Sequence, residues 1–315
     1  DICMIYHADM YLMPGALDSI EEHLTDKTIV SLTRIEPPLH PDGPEKILMD
    51  FGVEPEEFKE TELLEWFTKP IDSTGGYQPK HDNPTEGIFA PWAFYKKDFQ
   101  EIGGHDPLYA PQSKEDSDIF NRFQLNGIKF VQTWGGCVYH MTCRGSRRNT
   151  VDKAKNIYED SPEWLAQNQR STRNFIRKWG HFVKHDALMK PIIPSKYDIG
   201  FILNGNNFDL LNMLEPWCST IYADPHMIQD YIQAEQQNTT MDLYDRVKPY
   251  DNEKQNEILV TIDANKFTQQ DFQYIQQLSE ILADSGEPAF HGELGNITIE
   301  IFEEMNTYEK DLIIC

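Results

Sequence analysis

The period of the hydrophobic and polar positions changes several times along the chain, and each change predicts an element. Ile2-Cys3-Met4-Ile5-Tyr6 is continuously apolar and ends in the polar turn His7-Ala8-Asp9. Pro14-Gly15 then precedes Ala16, Leu17, Ile20 and Leu24, spaced as one face of a helix. This reads as a buried strand, a turn and a helix. Residues 28–35 alternate as a second strand, after which Pro37, Pro38, Pro41 and Pro44 impose an extended excursion. Residues 54–67 predict an acidic amphipathic helix, and residues 88–94 an apolar, aromatic segment. A short helix around Phe99 should stop at Gly103-Gly104.

Ser113-Lys114-Glu115-Asp116 reads as a helix start, with Ile119, Phe120, Phe123 and Leu125 as its apolar face and Gly127 as its stop. Glu115 and Asp116 then sit in the first turn, where the helix dipole favours anions. A strand is expected over 129–133, and Gly135-Gly136 leads into Cys137-Val138-Tyr139-His140. Ser161-Pro162-Glu163 opens a helix running to about residue 179. Residues 184–196, which include Pro191 and Pro194, read as a linker. Beyond it, strands are expected over 197–203, 257–264 and 297–302, and helices over 208–218 and 269–282. The pattern is that of an α/β chain in two parts: residues 1–183, and a smaller α/β or α+β accessory domain over 197–315.

The length of 315 residues suits two cores. Fifty-two acidic against 28 basic residues leave a formal charge of −24, which argues against a nucleic-acid or anionic-membrane partner. The one dense basic stretch runs over 144–148. No apolar run reaches the roughly 18–20 residues of a membrane span. Five cysteines, an odd number without CxxC spacing, support neither a disulfide framework nor a zinc ribbon. A reducing, cytoplasmic location is the expectation.

Three features recur in order: an Asp-containing turn after a strand, an acidic pair opening a helix after a Gly-Gly turn, and a histidine ending a strand before a basic loop. In the stretches ICMIYHADMYLMPGAL, FAPWAFYKKDFQEIGGHDPLYAPQSKEDSDIFNRFQLNGIKFV and VYH, covering roughly residues 1–150, the chain resembles the GT-A glycosyltransferases, specifically the inverting family two. That resemblance implies a Rossmann-like GT-A fold, a nucleotide diphosphate sugar as donor and a glycan or cell-surface precursor as acceptor. It also implies a divalent metal, Mn²⁺ or Mg²⁺, to neutralise the leaving diphosphate. Asp9 matches the second position of the family's Asp-x-Asp turn, and His140 matches a histidine that completes the metal set. His7 stands where the family has Asp, so it is either a ligand or a contact to the diphosphate. Asp116, second of the acidic pair, matches the general base, with Glu115 beside it. Arg144, Arg147 and Arg148 could clamp the diphosphate, and Trp92 could offer a face to the acceptor sugar. In the family the strand, helix and strand that hold the base and ribose precede the Asp-x-Asp turn. Here the turn lies at residue 9, so the expectation is a chain lacking that nucleotide-binding half.

Each residue also has an ordinary structural reading: His7 as a turn residue, Glu115 and Asp116 as charges at a helix N-terminus, Asp118 as a solvated charge or a support, and Trp92 as core. The alternative function is a non-catalytic carbohydrate- or protein-binding module that retains the transferase scaffold. A metal-dependent hydrolase lacks the HExxH or clustered-histidine pattern it would need.

Overall fold

A computed structural model describes residues 1–71, 73–142, 160–250, 256–285, 290–302 and 305–315. The chain is α/β with mixed sheets and divides into two compact units whose segments interleave. The first comprises Asp1–Gly104, Ile119–Leu165 and Lys184–Ile192, and the second His105–Asp118, Ala166–Val183 and Ile193–Cys315. The stretch 184–196 is thus shared between the units.

The sheet of the first unit contains β1 (Ile2–Ile5), β2 (Met10–Leu12), β3 (Thr28–Glu36), β4 (Lys46–Leu48), β5 (Trp92–Tyr95) and β6 (Lys129–His140). The order is β1-β5-β3-β6-β2, with β4 paired to β3. β3 runs parallel to β4 and β6 and antiparallel to β5, and β1 is antiparallel to β5. It follows that β1, β3, β4 and β6 point the same way and share one carboxyl edge. The opening strand is less buried than its apolar run predicts: it lies at the sheet edge with β5 as its partner, and Ile2 is half exposed.

Helix α1 (Ala16–His23) enters from Gly15, whose φ of 79° is readily reached only without a Cβ, and packs on β3 and β6. Helix α2 (Glu60–Phe67) is shorter than the acidic pattern suggests. The residues before it are turns that carry Phe51 and Phe58 onto the ring of Tyr139. Together with Met13, Ile35, Leu63, Tyr77 and Trp134 these rings form an apolar cluster. Helix α3 (Lys96–Glu101) ends before Gly103 and Gly104, and helix α4 (Glu115–Leu125) follows. Arg122 of α4 is fully buried and donates to the carbonyls of Ile102 and Gly104, which ties the glycine turn to the helix.

The second unit is built on β7 (Ile199–Asn204), β8 (Thr220–Ala223), β9 (Val247–Pro249), β10 (Ile258–Asp263), β11 (His291–Leu294) and β12 (Ile297–Ile301), in the order β11-β12-β10-β7-β8-β9. β9, β8, β7 and β10 are parallel, while β12 and β11 continue antiparallel. Its helices are α5 (Pro162–Trp179), α6 (Phe208–Leu214), α7 (Pro225–Glu235), α8 (Leu243–Arg246), α9 (Gln269–Gln276) and α10 (Leu278–Ser285). The single helix expected over 269–282 is therefore two, broken at Gln277, and it starts from a capping box of Thr268 and Asp271. Leu210, Leu214, Met227, Ile232, Ile275 and Leu282 of the helices share one core with Phe201, Leu203, Val260, Ile262 and Ile299 of the strands. No helix among the described residues is long and apolar enough to cross a membrane.

Candidate metal centre

The centre lies on the carboxyl edge of the first unit's sheet, where open α/β folds collect ligands. β1 ends at Ile5, and the following loop brings His7 and Asp9 to the head of β2. A turn bond from the Met10 amide to the His7 carbonyl closes this loop, and the Tyr6 hydroxyl donates to the Met10 carbonyl. β2 pairs with the last turn of β6: Met10 lies opposite His140, and the Met141 amide donates to the Asp9 carbonyl at 2.9 Å. Backbone pairing thus sets Asp9 beside His140 before any side-chain preference acts.

A register shift in β6 decides which residue reaches the edge. Leu32 pairs with Thr133, yet the next residue of β3, Thr33, pairs with Cys137. Trp134, Gly135 and Gly136 are the extra residues on β6. The strand predicted to stop at Thr133 therefore continues to His140, and the insertion carries His140 level with the end of β3. Gly136 is required here by crowding, since a Cβ on it would lie 2.8 Å from the Cβ of Ser19 and 2.9 Å from a methyl of Leu32.

His7, Asp9 and His140 each bring a ligand-type atom within 4.8 Å of the others. The Nε2 of His140 is 3.5 Å from the Asp9 carboxylate, and the His7 and His140 rings stand edge to face with centroids 6.3 Å apart. Behind them is a residue that the motif does not include. Glu36, the last residue of β3, is 3% exposed and lies 2.8 Å from Nδ1 of His140. Its carboxylate is also 3.5 Å from both Arg34 and Lys46, and Glu45 pairs with the same two cations. The sequence signal for Glu36 is faint: a charged residue closing an apolar strand just before Pro37.

The electrostatics follow from these contacts. Burial raises the Glu36 carboxyl, but His140, Arg34 and Lys46 outweigh it and bring it down to about 2. Burial likewise works against ionisation of Asp9, and the hydrogen bond and charge of His140 overcome it, leaving Asp9 below the ordinary carboxylate range. Burial depresses His140, and the two carboxylates more than reverse that, so its net shift is upward. Because ionised Glu36 can only accept, the Nδ1 of His140 must carry the proton that faces it, which leaves Nε2 toward Asp9.

Two imidazole nitrogens and one carboxylate oxygen form a borderline donor set that fits Mn²⁺, Co²⁺, Fe²⁺ or Zn²⁺ better than Mg²⁺, which prefers all-oxygen sites. The 3.5 Å between Nε2 and the Asp9 oxygen is close to the about 3.0–3.4 Å separating adjacent ligands of one ion at bonds of about 2.1 Å. His7 is exposed and Asp9 half-buried, so the group is open to solvent.

The acidic pair Glu115 and Asp116 occupies the first turn of α4, on the part of that helix grouped with the second unit. Among the described residues Asp116 has neither a hydrogen bond nor an ion pair, and burial raises its carboxyl to about 6. The two residues before the pair, Ser113 and Lys114, both adopt left-handed backbone, with φ of 78° and 72°. Asn168 of α5 holds both: its side-chain oxygen lies 2.7 Å from the Ser113 hydroxyl and 3.0 Å from the Lys114 ammonium. Asp118 is not solvated; it is fully buried and accepts from Tyr109, from the Trp179 indole at 2.9 Å and from Lys178 at 2.8 Å.

Trp92, expected to face an acceptor, is instead completely buried, packed on Phe94, Phe120 and Phe123. It lies on β5, between β1 and β3, and its ring serves the core. Arg144, Arg147 and Arg148 lie outside the described residues. Cys3, Cys137 and Cys218 are free thiols. No protein-family model matches the chain, and no curated protein matches it.

Proposed function

We propose that the chain is a metal-dependent inverting glycosyltransferase of the GT-A type, akin to family two, acting on a nucleotide diphosphate sugar and a glycan or cell-surface acceptor. The observation that carries this reading is the meeting of His7, Asp9 and His140 at the carboxyl edge of a mixed α/β sheet, with Nε2 of His140 3.5 Å from Asp9. These three residues would hold Mn²⁺ or a similar ion, which when bound supplies positive charge to the leaving diphosphate.

The chain's own residues supply the remaining chemistry. The acceptor oxygen forms a bond to the anomeric carbon as the bond from that carbon to the diphosphate oxygen breaks, and the configuration inverts. The family resemblance assigns the acceptor proton to the carboxylate of Asp116. An acid of pKa about 6 is ionised at neutral pH yet basic enough to accept a proton in the transition state, which suits a general base. Glu115 adds negative charge to the same turn, and in this reading the basic residues Arg144, Arg147 and Arg148 meet the diphosphate.

Calorimetric titration of Mn²⁺, then of a panel of nucleoside diphosphates in its presence, tests the reading. Metal binding should be lost in Asp9→Asn and His140→Ala, and diphosphate binding should depend on the metal. In Asp116→Asn, transfer to an acceptor should fall by about 10²–10⁴-fold with nucleotide affinity retained. A chain that binds neither metal nor diphosphate is not a transferase of this kind.

A further inference from the structure

Resting on the reading of the strand-end cluster as a metal centre, we propose that Glu36 is its positioning residue. It holds His140 in the tautomer and orientation that offer Nε2 to an ion shared with Asp9 and His7, while Arg34 and Lys46 hold Glu36 itself back from that ion.

Four observations carry this assignment. Glu36 accepts from Nδ1 of His140 at 2.8 Å while the opposite ring nitrogen is directed to Asp9, so one imidazole joins the buried carboxylate to the open face of the cluster. Both Glu36 oxygens are engaged, one by His140 and Arg34 and the other by Lys46, which leaves neither for direct coordination. The Arg34 guanidinium is itself fixed, 4.2 Å above the Phe89 ring and 3.5 Å from Glu45. Finally, the contact is built into the sheet. Ile35 pairs with Tyr139, so Glu36 and His140 each lie one step further along adjacent parallel strands, an alignment that exists only because of the insertion at 134–136. A carboxylate behind a ligating histidine raises the ligand's basicity and removes the entropy of ring rotation, and losing such a partner costs about 10–100-fold in metal affinity.

The test uses the full chain and two readouts, neither of which is turnover. The first is long-range ¹H–¹⁵N NMR of the histidine side chains in the metal-free protein, followed upward in pH until the His140 ring is neutral. The second is calorimetric titration with Co²⁺ alone. In the wild type, His140 should carry its proton on Nδ1. In Glu36→Gln, whose amide can flip and donate to Nδ1, the Nε2–H tautomer should appear and Co²⁺ affinity should fall about 10–100-fold. Glu45→Gln removes a charge from the same ion-pair group without touching His140, and should change the affinity less than about threefold. A wild-type His140 protonated on Nε2 would overturn the proposal without any variant, so it stays falsifiable even if Glu36→Gln fails to fold. A folded Glu36→Gln that binds Co²⁺ as tightly as the wild type overturns the positioning role and leaves the metal centre standing. A wild type that binds no Co²⁺ removes the metal centre, and the role of Glu36 with it.

Discussion

Two carboxylates two positions apart on α4 show how far one helical turn can separate the properties of identical groups. Asp118 is fully buried, with an indole, a phenol and an ammonium around it, whereas Asp116 is half-buried and has no partner among the described residues. Burial alone raises Asp116 from 3.8 to about 6, so the folded state favours its protonated form. The sign for stability follows. Below about pH 4 the group is neutral in both states and costs nothing. Between about 4 and 6 the unfolded chain ionises first, and above about 6 the full penalty is present. Asp116→Asn should therefore stabilise the protein by about 1–3 kcal/mol at pH 8 and leave stability at pH 4 nearly unchanged, as read by urea unfolding at the two pH values. An equal gain at both values would point to a cause other than desolvation. The left-handed backbone of Ser113 and Lys114 stores further strain immediately before this turn, a combination more common at functional positions than in ordinary helix starts.

At the scale of elements, the extra residues in β6 are where local sequence and final structure part company. Gly136→Ala should cost about 1–3 kcal/mol, because the new methyl meets Ser19 and Leu32 at under 3 Å, and it should also weaken metal binding by displacing His140. Thermal unfolding and Co²⁺ titration of the same sample check both. α1, α4, α5 and β3 were legible because each is an apolar period bracketed by Gly, Pro or a polar cap, and His7 and Asp9 were legible as the polar turn ending an apolar strand. β8, α7 and β9 left no reading, and Trp92 gave a misleading one, because only the sheet order shows that its strand is an interior one. Glu36 stayed hidden for a related reason: its meaning depends on strand pairing with residues about a hundred positions away. The charged group joining α5, α7 and α8 was equally invisible. Glu215 there is fully buried and accepts from Arg177 at 2.8 Å, Arg246 at 2.7 Å and Tyr231 at 2.9 Å. Burial opposes its ionisation, and the two arginines overcome that and bring it down to about 2. A folded pKa below the unfolded one adds stability that is complete above about pH 5 and fades as pH falls toward 2. Glu215→Gln should thus lose about 3–5 kcal/mol at pH 7, and its deficit should shrink on acidification, as followed by chemical unfolding from pH 7 to pH 3.

For the molecule as a whole, the charge of −24 sets the conditions under which the proposed chemistry can operate. A surface this acidic concentrates divalent cations and repels a nucleoside diphosphate, so one negative field would act in opposite senses on the two ligands of the proposed reaction. With both imidazoles deprotonated, as metal ligation requires, the centre would contribute a single formal negative charge, from Asp9, and a bound M²⁺ ion would turn that to a net positive one. In the proposed reaction the cation would therefore bind first and the diphosphate second. Ionic strength then separates the two steps. Raising NaCl from about 20 to 150 mM shortens the Debye length from roughly 20 Å to 8 Å and screens the long-range field more than the contacts within the centre. Co²⁺ affinity should therefore fall by a few-fold over that range. Diphosphate affinity at saturating metal should hold steady or rise, the reverse of the trend for a protein that binds phosphate through a basic surface. Paired calorimetric titrations at the two salt concentrations measure both slopes. A diphosphate affinity that drops steeply with salt would place the phosphate on a local basic patch, such as the stretch over 144–148, rather than at the His7, Asp9 and His140 centre.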